Sequence, residues 1–297
     1  MHSVLTIVGD PTTRLVSGQV VTDAREALAS IKGETGAVEW LAPSLACDIL
    51  FDHAKPAAAE AAVREALGDQ PFDLATQPLA DRRKRLLLAD MDSTIVTGET
   101  LDELAAHCGL KDEVAAITLR TMKGELPFEE SLKLRVGKLQ GLSIEVMVEV
   151  VQALDLAPGA RSLVRTMRAH GAYAALVSGG FTFATEPIAE ICGFHEQRAN
   201  VLLHMDGRLT GEVQEPILGM HAKLDFLREL CQRQDLHARQ ACAVGDGAND
   251  LAMLEAAGLG VAFRGKPKVR QEARFRIDHS DLTALLYFQG YKEAEFA

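Results

Sequence analysis

Up to about residue 75, apolar positions occur partly in short runs, which predict strands, and partly at spacings of three and four, which predict helices. The predicted order is a strand, a helix, two strands, a helix and a strand, at Ser3 to Val8, Leu15 to Ile31, Ala37 to Leu41, Ala46 to Phe51, Ala57 to Leu67 and Phe72 to Thr76. In the first helix, Ala24, Leu28 and Ile31 recur at spacings of four and three and would share one face. This order is typical of ferredoxin-like folds, so residues 1–80 are expected to form a small α+β domain.

Later apolar runs alternate with helical patterns, which is typical of a parallel sheet covered by helices. Four of these strands are predicted at Arg85 to Ala89, Ala172 to Val177, Gln240 to Val244 and Gly260 to Phe263. From about 98 to 156 the pattern predicts helices only, at Leu101 to Cys108, Lys111 to Lys123, Phe128 to Leu139 and Ile144 to Leu154. Residues 85–297 are therefore expected to form an α/β domain, with a Rossmann-like parallel sheet and a helical cap inserted after the first strand.

The stretch from Thr76 to Arg85 joins the two regions and ends in four consecutive basic residues, Arg82 to Arg85. A basic run can bind nucleic acid, but the whole chain carries a formal net charge of −11. We interpret the run as a solvated linker, and we expect neither nucleic acid nor an anionic membrane as a partner. The chain has no apolar run of about 18 residues that would predict a membrane span.

The composition, with 47% hydrophobic and 25% charged residues, is typical of a soluble globular protein. The five cysteines are scattered, and none lies in a Cys-x-x-Cys pair that would indicate a zinc site or a disulfide framework. They are expected to be free thiols in a reducing compartment. Because Met1 to Val4 show no charged segment leading into an apolar core, no secretory signal is predicted and a cytoplasmic location is expected.

Two aspartates, Asp90 and Asp92, come directly after the predicted strand Arg85 to Ala89. Open α/β sheets bind their ligands at the carboxyl ends of the strands. Two residues apart on an extended chain, both side chains leave from the same face and can converge on one site. Close carboxylates repel each other and favour a divalent cation, so Mg²⁺ is expected here, although oxygen ligands suit Mn²⁺ as well.

Two further strand ends carry polar groups of the same kind. Ser178-Gly179-Gly180 follows one strand, and its glycines would let backbone N–H groups approach an anion closely, at the start of a helix. The run from Gly245 to Asp250 follows another strand and offers three metal- or phosphate-binding side chains, Asp246, Asn249 and Asp250, more than one helix cap requires. Lys223, at the start of a predicted helix, is a natural countercharge for a phosphoryl group beside them.

Taken together and in this order, these four motifs resemble those of the haloacid dehalogenase-like phosphatases, from about Arg85 to the C-terminus. Within that superfamily the chain is similar to the bacterial phosphoserine phosphatases in four further segments, Thr97 to Glu99, Met122 to Phe128, Ser131 to Val136 and Ser178 to Phe183. Residues 1–80 resemble the amino-acid-sensing, ACT-like domain of those enzymes. They contain no clear effector motif, so an amino-acid effector and a homodimer are left open.

The resemblance implies that Asp90 is a nucleophile that forms an aspartyl-phosphate, and that Asp92 is the general acid and then the general base. It also implies a Mg²⁺ site made by the carboxylate of Asp90, the backbone carbonyl of Asp92 and the carboxylate of Asp246. Asp250 would support the ion directly or through a water molecule.

The same resemblance implies a role for each remaining motif in binding O-phosphoserine. Ser178, the amide of Gly179 and Lys223 would neutralise the phosphoryl group, and Asn249 would position the phosphate or Lys223. Glu99 would bind the ammonium of the substrate and Arg135 its carboxylate. Because these two residues lie in or beside the cap, closure of the cap would link recognition to chemistry. Met122 and Phe128 would pack on the bound amino acid or in the core of the cap.

The implied activity is hydrolysis of O-phosphoserine, the last step of serine biosynthesis, and three other functions compete with it. Phosphoryl transfer to another alcohol, or hydrolysis of another phosphomonoester, would use the same catalytic residues. An amino-acid-binding regulatory protein with an inactive phosphatase module is disfavoured, because Asp90, Asp92, Lys223 and Asp246 are all intact. A cation-pump phosphorylation domain would require membrane spans. The sequence leaves the choice between L- and D-phosphoserine open.

Overall fold

A four-stranded antiparallel sheet with two helices is formed by residues 3–78 of the computed structural model, which describes residues 1–122 and 125–297. Its elements are β1 (Ser3–Val8), α1 (Gly18–Ser30), β2 (Glu34–Ala42), β3 (Ala46–Asp52), α2 (Pro56–Leu67) and β4 (Asp73–Pro78). The strand order β2-β3-β1-β4 confirms the ferredoxin-like prediction. Helix α1 begins later than predicted because Ser17 caps it, its hydroxyl accepting a hydrogen bond from the Val20 amide at 3.3 Å.

A parallel sheet and its helices follow. The elements are β5 (Leu86–Asp90), α3 (Thr100–His107), α4 (Lys111–Met122), α5 (Phe128–Gly137), α6 (Glu145–Ala153), α7 (Ala160–Ala169), β6 (Tyr173–Phe181), α8 (Thr182–Cys192), β7 (Glu196–Asn200), β8 (Leu202–Met205), β9 (Arg208–Val213), α9 (Ala222–Arg233), β10 (Ala241–Gly245), α10 (Leu251–Ala256), β11 (Leu259–Phe263), α11 (Pro267–Glu272), β12 (Phe275–Ile277) and α12 (Ala284–Phe288). No helix in the described ranges is long and apolar enough to cross a membrane.

The six-stranded sheet has the order β12-β11-β10-β5-β6-β7, and its neighbouring strands are parallel. This confirms the Rossmann-like prediction. Strand β5 is apolar up to its last residue because it is buried on both faces: Leu87 and Ala89 join one core, and Leu86 and Leu88 join the other. The carboxyl-terminal parts of β6, β5 and β10 are adjacent at the centre of the sheet, so the three motifs in and after these parts of the strands come together.

The cap contains the predicted helices, α3 to α6, and also a β-hairpin that the sequence pattern did not reveal. Strands β8 and β9 pair in antiparallel fashion, and Leu202, Leu209 and Val213 share a core with Leu132 and Val136 of α5. Both strands are short and partly exposed, so their apolar positions are too few to show a clear alternation. Lys123 and Gly124, which fall in a predicted helix and in a recognised motif, lie outside the described residues.

The connection between the two sheets is packed into an interface, so the prediction of a solvated linker is wrong for Arg82 and Lys84. Arg82 donates hydrogen bonds to both carboxylate oxygens of Asp48, at 2.6 and 2.7 Å, and to the Phe288 carbonyl at 2.9 Å. Lys84 is buried and donates to two backbone carbonyls, those of Asp81 and Arg239. The basic side chains can be buried because fixed oxygen atoms satisfy their charges.

Candidate active site

A buried lysine joins two of the predicted strand ends. Asp90 is the last residue of β5, and Asp250 is the residue before α10, beyond the loop that follows β10. From the first turn of α9, Lys223 places its Nζ 2.6 Å from Asp90 Oδ1 and 2.6 Å from Asp250 Oδ1. All three residues are buried. Burial alone would lower the pKa of Lys223, but Asp250 and Asp90 raise it, so the lysine is held protonated.

The loop after β10 folds back tightly on the end of its strand. A Cβ atom at Gly245 would lie 2.3 Å from Cγ of Asp250, so only glycine fits at this position. Asp250 Oδ2 accepts a hydrogen bond from the Gly247 amide at 2.9 Å, which fixes the loop. As a result, carboxylate oxygens of Asp90, Asp246 and Asp250 all lie within 4.8 Å of one another.

Asp92 is held by two donors on the other side of the same turn. Its Oδ1 accepts from the Thr100 amide at 2.9 Å, and its Oδ2 accepts from the Ser178 hydroxyl at 3.2 Å. Burial raises the pKa of Asp92 to about 6, the negative charge of Glu99 adds to this effect, and the two hydrogen bonds oppose it. A carboxyl group with this pKa can both give and take a proton near neutral pH.

The segment Ser178-Gly179-Gly180 lies within β6, so the prediction that the strand ends before it was wrong. Pairing with β7 resumes beyond the glycines, where Phe181 pairs with Asn200. The Asn200 side chain is buried and donates from Nδ2 to the Gly179 carbonyl at 2.9 Å. The Ser178 hydroxyl in turn accepts from the Gly180 amide at 2.8 Å. These bonds hold Ser178 and Gly179 beside Asp92.

A cavity of about 330 Å³ opens above these strand ends, between the sheet and the cap. Its walls contain eight of the nine residues that the sequence analysis selected for the site: Asp90, Asp92, Glu99, Arg135, Ser178, Gly179, Asp246 and Asn249. The ninth, Lys223, lines an adjoining cavity of about 340 Å³, which shares Ser178, Gly179 and Asn249 with the first. The fold therefore brings all nine predicted residues to one place.

A family model described as haloacid dehalogenase-like hydrolase matches residues 87–255, which contain all of these groups. The chain belongs to the haloacid dehalogenase-like hydrolase family. It is 36% identical over 294 residues to a phosphoserine phosphatase of Streptomyces coelicolor, an alignment that covers 99% of this chain and 72% of the relative. The chain spans 58% to 72% of the lengths of five such relatives.

Two solved structures show the same similarity. A probable phosphoserine phosphatase from Vibrio cholerae, in unliganded form, superposes with a TM-score of 0.79 at 31% identity, covering 99% of this chain and 88% of that chain. A phospho-aspartyl intermediate analogue of a phosphoserine phosphatase gives a TM-score of 0.65 at 38% identity, covering 69% of this chain and 99% of that chain.

Glu99 and Arg135, the two residues predicted in or beside the cap of this hydrolase, differ from each other in their hydrogen-bond partners. Glu99 Oε1 accepts hydrogen bonds from the Ser93 hydroxyl at 3.0 Å and from Lys266 Nζ at 3.2 Å. Arg135 donates from Nε to the Ser131 carbonyl of its own helix at 3.4 Å, and among the described residues no carboxylate lies within 4 Å of its guanidinium. Arg135 therefore presents to the cavity a positive charge without a direct salt bridge in the described part of the chain; burial lowers its pKa, and the negative charges of Asp102 and Glu99 oppose this effect.

Two residues matter more in the structure than the sequence suggested. Asp250, considered only as a support for the metal, uses Oδ1 to bind Lys223 and Oδ2 to bind the Gly247 amide. Lys266 was not predicted at all, yet its Nζ lies 3.1 Å from Asp246 Oδ2 and 3.2 Å from Glu99 Oε1. One signal could have revealed it: Lys266 follows β11, and the rule that ligands bind at strand ends applies to that strand as well.

The charges around the cavity suit a divalent cation, which this hydrolase family implies. Five carboxylates, those of Asp90, Asp92, Glu99, Asp246 and Asp250, lie close together, and the ammonium groups of Lys223 and Lys266 form ion pairs with four of them. Arg135 and Lys268 also line the cavity. Burial, followed by repulsion from Asp250, raises the pKa of Asp90, and burial also raises that of Asp246. A hard cation with oxygen ligands would relieve this repulsion, so the donor set fits Mg²⁺.

Proposed function

We propose that this protein is a Mg²⁺-dependent phosphoserine phosphatase, which hydrolyses O-phosphoserine to serine and phosphate in the last step of serine biosynthesis. The observation that carries the proposal is the pairing of the two ends of the space formed by the two adjoining cavities. At one end, Lys223 lies 2.6 Å from the Asp90 carboxylate, beside Ser178 and Gly179, where a phosphoryl group would bind. At the other end, Glu99 and Arg135 offer the opposite charges that an amino acid requires.

In the first step, a carboxylate oxygen of Asp90 attacks phosphorus while the bond from phosphorus to the serine oxygen breaks. Asp92, protonated as its raised pKa allows, gives its proton to the departing oxygen, because a serine alkoxide is a poor leaving group. Lys223, the Ser178 hydroxyl and the Gly179 amide offset the negative charge of the transferring group. The phospho-aspartyl analogue of the related phosphatase supports this assignment.

In the second step, water attacks the phosphorus atom and the bond to Asp90 breaks, which frees phosphate. Asp92 now lacks its proton and takes one from the attacking water. Its hydrogen bond from the Thr100 amide holds the carboxyl group in one orientation through both steps, while the Ser178 hydroxyl turns from Asp92 to the phosphoryl group. Asn249, which borders both cavities, is proposed to position the phosphate.

We propose that Mg²⁺ is held by the carboxylates of Asp90 and Asp246 and by the backbone carbonyl of Asp92. When bound, the ion would offset the charge repulsion between the nucleophile and the phosphate. Both oxygens of Asp250 are already engaged, so its proposed role is to hold Lys223 and the loop rather than to bind the ion.

The test is phosphate release from a panel of phosphomonoesters, with Mg²⁺ and with a chelator. O-Phosphoserine should be the best substrate, and phosphoethanolamine and glycerol phosphate, which lack one or both of the charged groups that Glu99 and Arg135 would bind, should be much poorer. A protein that releases no phosphate from any of them would support the inactive regulatory function instead. Analysis of the products in the presence of alcohols would reveal phosphoryl transfer to an acceptor other than water.

For residues 1–80 we propose a regulatory or dimerising role toward the catalytic domain at residues 85–297. One face of the small sheet packs on α12, since Val8, Ala46 and Ala75 share a core with Leu285 and Phe288. A ligand or a second subunit that shifted this sheet would therefore act directly on the catalytic domain. Sedimentation of the protein and titration with serine, with turnover as the readout, would test the two roles.

A further inference from the structure

Lys266 connects two parts of the cavity that the proposed mechanism uses separately. Its Nζ lies between Glu99 Oε1, at 3.2 Å, and Asp246 Oδ2, at 3.1 Å. Its backbone amide also donates to the Asp246 carbonyl at 2.9 Å, so the main chain of the lysine is anchored to the loop that follows β10. The side chain lines the cavity and is about half exposed. The lysine therefore touches one residue proposed for the substrate ammonium and one proposed for the metal.

The hydrogen bonds of Glu99 are all on one oxygen. Oε1 accepts both from the Ser93 hydroxyl and from Lys266, whereas Oε2 accepts no hydrogen bond from any residue in the described part of the chain. Two donors on one oxygen fix the orientation of the carboxylate and leave the other oxygen for a ligand. Glu99 is thus already oriented before an ammonium group arrives.

At Asp246, Lys266 opposes the binding of a ligand, whereas at Glu99 it prepares the carboxylate for one. A cation about 3 Å from a carboxylate oxygen occupies the space and the charge that a divalent ion would use, so the two compete. Lys266 can keep its bond to Glu99 when Asp246 turns to a metal ion, because the two carboxylates lie on either side of its ammonium group.

We propose that Lys266 is a positioning residue with two opposed effects: it orients Glu99 for the ammonium of the substrate, and it weakens the binding of a divalent cation at Asp246. This inference rests on the proposed function for its substrate part. Its metal part concerns only the residues of this chain and can be measured without turnover.

The experiment compares Lys266→Met with Lys292→Met in the whole chain. Lys292 is as exposed as Lys266, pairs with Glu39 at 2.7 Å and lines neither of the two cavities, so its substitution is a matched control. For Lys266→Met we expect KM for O-phosphoserine to rise about 10-fold, as is usual for loss of a charged hydrogen bond, with kcat changed much less. For 4-nitrophenyl phosphate, which has no ammonium, kcat/KM should change less than about 2-fold.

The metal part is read by calorimetric titration of the substrate-free protein with Mg²⁺. The Kd should fall about 3-fold or more in Lys266→Met, since a competing cation has been removed, and Lys266→Arg should restore both KM and Kd toward the wild-type values. Lys292→Met should leave both unchanged.

Three results would overturn the inference. The first is an unchanged KM and Kd in Lys266→Met, and the second is weaker Mg²⁺ binding in that variant, which would indicate a collapsed site. The third is an equal loss of kcat/KM on O-phosphoserine and on 4-nitrophenyl phosphate. Failure of the proposed function is distinct from these, because wild-type protein would then not hydrolyse O-phosphoserine, while the titrations would still decide the effect on the metal.

Discussion

Arg82 and Lys223 are both buried cations, but their surroundings differ. Arg82 faces one carboxylate, that of Asp48, and its remaining N–H groups donate to the Thr6 hydroxyl and to backbone carbonyls at 287 and 288. Lys223 faces two carboxylates, those of Asp90 and Asp250, and the carboxylate of Asp246 lies close to both of them. Arg82 therefore has one carboxylate for its one positive charge, whereas Lys223 has more than one carboxylate for its charge.

This difference separates a structural contact from a chemical site. At the interface, the guanidinium of Arg82 bonds to both oxygens of Asp48, so the pair joins the small sheet to the connection that follows it. At the strand ends, burial raises the pKa values of Asp90, Asp92 and Asp246, and neighbouring carboxylates raise them further. Imbalance of this kind makes a site ready for a cation and a phosphate. The predictions below test the contrast, starting with the largest effect.

Substitution of the proposed nucleophile should separate activity from stability. In Asp90→Asn, turnover of O-phosphoserine should fall by at least about 10⁴-fold, because the amide cannot form the phospho-enzyme. The free energy of unfolding should not fall, because one of several crowded negative charges is removed and Lys223 keeps Asp250. Phosphate release and urea unfolding measure the two effects. Residual turnover above a hundredth of the wild-type rate would contradict the proposed role of Asp90.

Substitution in the Arg82–Asp48 pair should have the opposite result, a loss of stability without a loss of activity. Arg82→Met leaves the carboxylate of Asp48 buried with the Thr6 hydroxyl as its donor, and should lower the free energy of unfolding by about 3 kcal/mol while kcat stays unchanged. Arg83→Met is the matched control, since Arg83 pairs with Glu295 at the surface and should contribute about 1 kcal/mol or less. Equal losses in urea unfolding for the two variants would refute the distinction between them.

Arg82 also shows where inference from sequence stops. The run from Arg82 to Arg85 suggested solvent, because four adjacent charges have no partner nearby in the chain. The groups that bury Arg82 are far away in sequence, at Asp48 and Phe288, and only the packing of one sheet on α12 brings them together. The same holds for Lys266, whose bond to Glu99 spans 167 positions, and for the β8-β9 hairpin, which packs on α5 within the cap.

The predicted site residues come together for the opposite reason. Asp90, Asp92, Asp246 and Lys223 each stand in a short motif at the end of a strand or the start of a helix, and parallel strands place such ends at one edge. Local pattern and sheet topology were therefore sufficient to predict that these residues lie together. They were not sufficient to assign hydrogen bonds, so the bond from Lys223 to Asp250, beside the two other aspartates, was not predicted.

The next largest effect is expected on KM when Arg135, which has no salt bridge within the described residues, is replaced. Arg135→Ala should raise KM for O-phosphoserine about 10- to 30-fold with a smaller change in kcat, because the substrate carboxylate loses a charged, two-pronged partner. Lys133→Ala is the matched control on the same helix, since Lys133 is exposed and paired with Glu215. Steady-state kinetics of both variants measure the effect. If Arg135→Ala kept the wild-type KM and kcat, the proposed recognition of the carboxylate would be wrong.

The last prediction concerns the pH dependence of stability at Asp92, and its sign follows from linkage. Folding raises the pKa of this carboxyl group from 3.8 to about 6, chiefly by burial. Between these two values the folded state binds more protons than the unfolded state, so the contribution of Asp92 to stability falls as the pH rises through that window. Two pKa units correspond to about 3 kcal/mol, and partial exposure of the residue reduces this to about 2 kcal/mol.

Asp92→Asn should therefore be more stable than wild type by about 2 kcal/mol at pH 8, in the presence of a chelator, with the difference vanishing near pH 4. Asparagine preserves the shape and can still accept from Thr100, while its NH2 group would donate to the Ser178 hydroxyl instead of accepting from it. Asp10→Asn is the control of opposite sign: hydrogen bonds from Thr12 lower the pKa of Asp10, so this variant should lose stability at pH 8. Urea unfolding at several pH values decides the outcome. A less stable Asp92→Asn at pH 8 would mean that the carboxylates at the strand ends are as well compensated as Asp48, and the contrast between the two clusters would disappear.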